Sequence, residues 1–411
     1  MAKVNGTCDS RFTAVKDLLQ ANINADEELG ASIVVNVNGE NVVDIWGGYS
    51  DPSKSKFWEE DTVTNVWSSS KTVVSLAALL LIDRGLIDPF ENVSKYWPEF
   101  AQNGKENIEV RHFLSHSSGL SGWADPIAIH EVCDLESSTT RLAAQAPWWT
   151  PGSASGYHSL TMGHLLNELT QRVTSKSLAE FVTTELAGPL DADFTFGVPT
   201  SEYHRVATII PPPAPPADWK PDAPTDTDAD PKPKIDMSSI FAKTLMNPLM
   251  DANFANQDFW RQACVPAANG FTNARGIAKL LSIISCSGTL DGKQWLKPQT
   301  VDLIFEEQTN GPDLVISAKT RFGIGFGLNG VEDGGAGHWI PDGKICFWGG
   351  WGGSMVVCDV GRGVTITYMM NKMSNAGLGS GLAKYYIWEV YKALGVEVTS
   401  ETDENDGVTK A

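Results

Sequence analysis

The chain has 411 residues, 42% of them hydrophobic, with 14 tryptophans, which is enough apolar mass for one large or two ordinary globular domains. Its formal net charge is −19, and no basic run offsets the excess of acid. That balance argues against nucleic acid and anionic membrane surfaces as partners.

The first eight residues, Met1 to Cys8, contain no apolar core of a secretory signal. No uninterrupted apolar stretch approaches the roughly 20 residues of a membrane span. Six cysteines (Cys8, Cys133, Cys264, Cys286, Cys346, Cys358) lie far apart, without C-x-x-C or Cys/His ligand spacing. They read as reduced thiols of a cytoplasmic protein, and no metal is expected.

From Ser10 to about Leu29, the residues Phe12, Val15, Leu18, Leu19 and Ile23 recur at helical spacing. Two β-branched runs follow, Ile33–Val37 and Val42–Trp46, around Asn38-Gly39, which predicts a hairpin. The apolar run Val73–Ile82 predicts a buried helix starting at Ser68 and ending near Arg84-Gly85. Helices are also expected from Val110 to near Gly119 and over Leu160–Leu169. A Pro- and Asp-dotted segment, 211–233, fits neither a core helix nor a central strand, so it reads as a linker, lid or flap. Strands return at Gly343–Trp348, Ser354–Asp359 and Val364–Met370, and an amphipathic helix over Leu382–Val390 ends near Gly395. The tail 399–411 is polar and is expected to be disordered. With strands at both ends and helices between, the economical fold is α+β. One antiparallel sheet is assembled from both chain ends and covered by the terminal helices, with a mostly helical domain inserted. The expected boundaries are 1–66 with 268–411 for the sheet domain, and 67–267 for the helical one.

Ser68-Ser69-Ser70-Lys71 sits where a polar stretch meets the buried helix, and it contains the S-x-x-K spacing of active-site serines. An i, i+3 pair shares one helix face. A serine hydroxyl needs a base to become a nucleophile, and a desolvated lysine is one. Ser53-Lys54-Ser55-Lys56 has the same spacing, but in a charged stretch without an apolar helix, and reads as a solvated loop. Two further elements fit a serine hydrolase. Tyr157, at a loop-to-helix junction, could bring its phenol against Ser68 and Lys71, where a nearby ammonium is expected to lower its pKa; taken alone, it reads equally as a packing tyrosine. Trp348-Gly349-Gly350-Trp351-Gly352-Gly353, at a strand end, frees backbone N–H groups for an oxyanion, or makes a tight turn.

Taken together and in this order, these motifs resemble the serine β-lactamase and penicillin-binding superfamily. The resemblance is nearest to the class C β-lactamase-like esterases known as family VIII carboxylesterases, and it extends to the related statin-type acyltransferases. Leu114-Ser115-His116-Ser117-Ser118-Gly119-Leu120, Pro266 to Gly276 and Tyr368 to Met373 add to it. The resemblance covers residues 10 to 395. It implies Ser68 as the acylated nucleophile, Lys71 and Tyr157 as the base system, the N–H groups of Ser68 and Trp351 as oxyanion donors, and no cofactor. His116 and Asn371 are expected to be structural. Two departures bear on substrate. Ser159 stands where β-lactamases carry an asparagine that orients an amide. Trp348-Gly349-Gly350 stands where they carry Lys-Thr-Gly, whose lysine attracts a carboxylate. Both favour a small-molecule ester over a β-lactam or D-Ala-D-Ala peptide. Trp148, Trp149, Trp348 and Trp351 are expected to line an apolar cleft covered by 211–233. A non-enzymatic scaffold of the same fold is the remaining alternative. The chain has no G-x-S-x-G, which sets aside an ordinary α/β-hydrolase.

Overall fold

Nine antiparallel strands form the backbone of this computed structural model, which describes residues 2–214, 236–316, 318–331, 337–375 and 378–398. The strands are β1 (Asn5–Cys8), β2 (Gly30–Val37), β3 (Glu40–Gly48), β4 (Thr309–Pro312), β5 (Lys319–Phe322), β6 (Gly327–Leu328), β7 (Ile345–Gly349), β8 (Met355–Asp359) and β9 (Val364–Met370). Their spatial order is β1-β3-β2-β9-β8-β7-β6-β5-β4, so the two chain ends meet at β2 and β9 in the middle of the sheet. The fold is thus the expected α+β, β-lactamase-like one. The Asn38-Gly39 turn has positive φ at both residues, as a two-residue hairpin requires.

Alternation along β9 separates two helical layers. Thr365 and Thr367 face helix α4 (Ala274–Ser285), through Ser285 Oγ at 2.7 Å and the Ala274 carbonyl at 2.9 Å. Tyr368 faces the opposite way, against α5 (Gly381–Ala393), which packs with α1 (Thr13–Asn24). The terminal helices therefore cover one face, and α4 covers the other. Helix α2 (Ser70–Asp83) is buried at every residue from Ser70 to Leu81, with α3 (Thr161–Thr174) and α4 against it. Three short strands, Thr64–Asn65, Gly270–Thr272 and Phe194–Phe196, form a second sheet that sequence periodicity does not reveal. The predicted helix beginning at Val110 stops at Leu114. Of the Pro-rich segment, residues 211–214 are described, and Ile210 pairs with Lys372; the remainder, like the tail from 399, lies outside the described residues. Among the described residues no helix is long and apolar enough to cross a membrane.

Glu28 is 1% exposed, between the terminal helices and the sheet. The Tyr368 hydroxyl donates to its Oε1, as does that of Tyr386 at 3.3 Å, and Oε2 has no partner among the described residues. Burial pushes its carboxyl up to about 8, while the two phenols and Lys372 pull the other way. A carboxyl raised in the folded state contributes stability below its ordinary value of 4.5, and that contribution is lost as pH rises toward 8. Melting temperature is therefore expected to fall between pH 5 and 8, and the Glu28→Gln variant should show a flatter profile over that window in thermal melts.

Candidate active site

The segment before α2 is shaped by two hydrogen bonds to Gly270 and by the packing of Trp67. Val66 N–H donates to the Gly270 carbonyl at 2.9 Å, and Gly270 N–H donates to Ser70 Oγ at 2.9 Å. Trp67 takes φ +48°, a left-handed conformation that a bulky residue adopts only under compensation. The compensation is aromatic: its ring packs 5.2 Å from Trp351 and 5.7 Å from Trp260. The α-helix begins at Ser70, two residues later than predicted, and Ser68 lies in the turn ahead of it. Lys71 N–H donates to the Ser68 carbonyl, an i, i+3 turn that aligns the two side chains more closely than an α-helical turn would.

Lys71 is 2% exposed. Its Nζ lies 3.0 Å from Ser68 Oγ, 2.7 Å from the Ser159 carbonyl and 2.9 Å from the Ala267 carbonyl. Among the described residues no carboxylate compensates the ammonium, and burial holds its pKa well below the ordinary lysine range. A neutral amine has two N–H bonds and one lone pair. The two carbonyls take the N–H bonds, which leaves the lone pair toward the Ser68 hydroxyl.

Tyr157 lines the same cavity as Ser68, and its phenol oxygen accepts the Trp348 indole N–H at 3.1 Å. The Lys71 nitrogen lies 4.9 Å from the ring centroid. The structure reverses the expected shift of this phenol. Burial raises its pKa, and Ser68 and the Trp348 indole only partly offset that rise, to which Asp313 adds. Sequence reasoning assumed a charged lysine neighbour, and the buried amine does not supply that charge. His116 packs its ring 4.8 Å from Tyr157, and its Nδ1 accepts the His158 N–H at 3.1 Å. Burial keeps it neutral, in keeping with a structural part. Asn371 is buried and donates to the Tyr49 carbonyl at 3.1 Å, away from Ser68.

The end of β7 closes the site. Gly350 lies so close to the Val66 carbonyl and the Ser354 hydroxyl that a Cβ would collide with both. Ser354 Oγ donates to the same carbonyl at 3.0 Å and lies 2.9 Å from Ser69 Oγ, so the serine turn and the glycine turn are joined. Among the described residues, the N–H groups of Ser68 and Trp351 have no hydrogen-bond acceptor, and both residues line the same cavity of about 600 Å³. Tyr157, Ser159, Trp348 and Gly349 line it too, with Leu245, Leu249, Met250, Ile316 and Trp339. Trp148 and Trp149 are not among its lining residues. Trp149 packs on His158, and Trp148 lies under Lys243. The second S-x-x-K copy lies in an exposed turn held by Asp51, with Lys54 paired to Asp26, as a solvated loop should be.

Sequence reasoning missed two contributors: the Ala267 carbonyl and Asp313. The first is a main-chain atom, which residue type does not announce. Ser354, at the end of the glycine run, belongs to the sequence element, and the structure adds its bonds to Val66 and Ser69.

A nine-stranded sheet between helical layers, with a buried S-x-x-K helix at its end, is the architecture of serine β-lactamases and penicillin-binding proteins. The chain belongs to the beta-lactamase family, whose model matches residues 15–387. It is 30% identical over 383 residues to the Esterase/beta-lactamase LipL of Mycobacterium tuberculosis, covering 90% of this chain and 83% of that protein. Among solved structures, it resembles a family VIII carboxylesterase with a TM-score of 0.85 at 33% identity, over 95% of this chain and 100% of that one. A penicillin-binding protein homologue from Caulobacter crescentus is similar with a TM-score of 0.83 at 31% identity, over 95% of this chain and 100% of that one.

A methyl group at Gly350 would push the glycine turn off the Val66 carbonyl. Gly350→Ala should cost about 1–3 kcal/mol of stability as overpacking. It should also slow labelling of the serine by a fluorophosphonate, as read by thermal melts and gel fluorescence.

Proposed function

We propose that the protein is a serine carboxylic ester hydrolase that works through an acyl-enzyme on Ser68 and acts on a small, neutral, apolar ester. The carrying observation is the Lys71 nitrogen, buried, uncompensated and bonded at once to Ser68 Oγ and two main-chain carbonyls. The opposite shifts of Lys71 and Tyr157 support a division of labour. Lys71 takes the Ser68 proton as the oxygen attacks the ester carbonyl. The resulting oxyanion is met by the N–H groups of Ser68 and Trp351, each such donor being worth about 3–4 kcal/mol in comparable sites. As the carbon–oxygen bond to the alcohol breaks, Tyr157, protonated throughout the working range, passes its proton to the departing alkoxide and regains one from Lys71. Water, activated by the same amine, then attacks the acyl-enzyme and releases the acid and the serine. If a second alcohol arrives before water, the same steps yield a new ester, so acyl transfer uses the same groups.

No lysine or arginine is among the described residues lining the cavity, and the Trp348 indole, at the Lys-Thr-Gly position, carries no charge. This supports an uncharged ester over a carboxylate-bearing β-lactam. The named relatives include an esterase and a carboxylesterase, which agrees with this reading. The six cysteines are unpaired, and on that basis we assign the protein to the cytoplasm.

Intact mass after exposure to a fluorophosphonate should rise by one adduct in the native protein and not in Ser68→Ala. An adduct on Ser68→Ala would overturn the nucleophile assignment. Lys71→Met should fold normally and lose at least about 100-fold in p-nitrophenyl butyrate turnover, as loss of a general base predicts. For the native protein, kcat/KM should have an acid limb well below the ordinary lysine pKa, set by Lys71, with activity lost as pH falls through it. Nitrocefin turnover equal to ester turnover would reinstate the β-lactam reading.

A further inference from the structure

Asp313 follows β4 and is 4% exposed. Its Oδ1 accepts three main-chain N–H groups, from Tyr157 at 3.0 Å, Val315 at 2.8 Å and Ile316 at 3.0 Å. Its Oδ2 is buried without a partner among the described residues. The loop carrying it and the strand β5 that follows are fastened to the tyrosine segment at one further point each. Leu314 N–H donates to the Ser155 carbonyl at 2.9 Å, and Ser155 Oγ lies 3.1 Å from Thr320 Oγ1. An unpartnered buried carboxylate oxygen is costly, and a side chain needed only to cap the turn over Val315 and Ile316 could be small and neutral. The feature a simple turn does not explain is the third N–H, which comes from Tyr157, more than 150 residues away in sequence.

The tyrosine segment has few other restraints in the direction of the cavity. Gly156 N–H donates to the His116 carbonyl at 2.9 Å, and His158 N–H donates to the His116 ring. Both bonds pull the segment toward His116. The bond to Asp313 pulls the intervening peptide toward the loop whose Ile316 lines the cavity. Two residues further on, the Ser159 carbonyl accepts from Lys71. One peptide segment therefore carries both the phenol that shares a cavity with Ser68 and a carbonyl that orients the amine, and Asp313 ties that segment to the loop whose Ile316 lines the cavity.

We propose that Asp313 is a positioning residue for ester cleavage, a carboxylate clamp that fixes the Tyr157 main chain against the cavity wall so that the phenol and the Ser159 carbonyl meet Ser68 and Lys71 in register. It rests on the reading of Tyr157 and Lys71 given under the proposed function. A displacement of the order of 1 Å at reacting groups costs about 100-fold in rate, so a clamp of this kind acts on kcat without touching substrate.

The test compares Asp313→Ala, Asp313→Asn and Asp313→Glu with p-nitrophenyl butyrate, all rates being expressed per site titrated with a fluorophosphonate. This counts only folded, labelled sites, so a residue that merely supports the fold would leave the per-site rate unchanged. Asp313→Ala, which removes the acceptor, should lose roughly 10–100-fold in kcat per titrated site, with KM changed by less than about threefold. Asp313→Asn, which keeps an acceptor oxygen, should recover most of that loss. Native per-site kcat in Asp313→Ala, or an Asp313→Asn rate no better than that of Asp313→Ala, would overturn the proposal. If Asp313→Ala does not fold, Asp313→Glu decides, because its longer side chain displaces the Tyr157 peptide. Loss of at least about 10-fold in kcat per site then supports the clamp, and a native rate overturns it. Absence of any Ser68 adduct in the native protein would instead signal failure of the ester-cleavage reading itself, before any Asp313 variant is compared.

Discussion

Lys71 sits on a helix buried from Ser70 to Leu81, and its nitrogen meets no carboxylate there. An ammonium group in that position would lack both water and a counter-charge, so the neutral amine is the cheaper state. Two main-chain carbonyls, from Ser159 and Ala267, satisfy the amine and fix its direction. These carbonyls come from segments more than a hundred residues apart in sequence. The protonation state of one side chain thus depends on how the helical region, the tyrosine loop and the 265–270 turn pack together. The phenol of Tyr157 responds to the same dryness with the opposite sign, since burial penalises phenolate as it penalises ammonium. One environment thereby lowers the pKa of the amine and raises that of the phenol, the pair of shifts on which the proposed base and acid roles rest.

A second dependence runs through the Val66 carbonyl. It receives Ser354 Oγ and presses against Gly350, so the position of the nucleophile turn is set by the end of β7. The sheet contributes rigidity here because β7 lies inside it, between β6 and β8. Trp67, held at positive φ by its contacts with Trp351 and Trp260, carries the same coupling through aromatic packing. The glycine run therefore does two things. It lets the chain approach a carbonyl closely, and it leaves the Trp351 N–H without an acceptor among the described residues.

Trp348 links acid–base chemistry to substrate choice. Its indole N–H ends on the phenol, and its ring walls the cavity beside Tyr157 at a centroid distance of 5.3 Å. A lysine at that position would add a charge beside both the phenol and the substrate. The apolar wall continues outward to Leu249, which lines the cavity and is 68% exposed. That mouth accommodates an apolar group extending beyond the pocket, consistent with an ester whose recognition is mainly hydrophobic.

The strong local signals were legible in the chain. Asn38-Gly39 between two β-branched runs specifies a hairpin because both turn residues must tolerate positive φ. The largely apolar run from Val73 to Ile82 specifies a helix with little solvent face; Ser68, Tyr157 and the start of the glycine run line one cavity, and Lys71 bonds to Ser68 from the buried side. The two- and three-residue strands of the small sheet were not legible, because such short elements carry no periodicity and exist only through their partners. Trp148 and Trp149 were misassigned to the cavity wall, since an aromatic residue has the same apolar character whether it packs inside or lines a pocket. The direction of the Tyr157 shift was also decided in three dimensions. Side-chain identities and their spacing along a helix are local properties, so the chain alone determined which groups could carry the chemistry. Dielectric environment and the aim of main-chain carbonyls arise from segments far apart in sequence, so only the tertiary structure decided in which direction the amine and the phenol would shift.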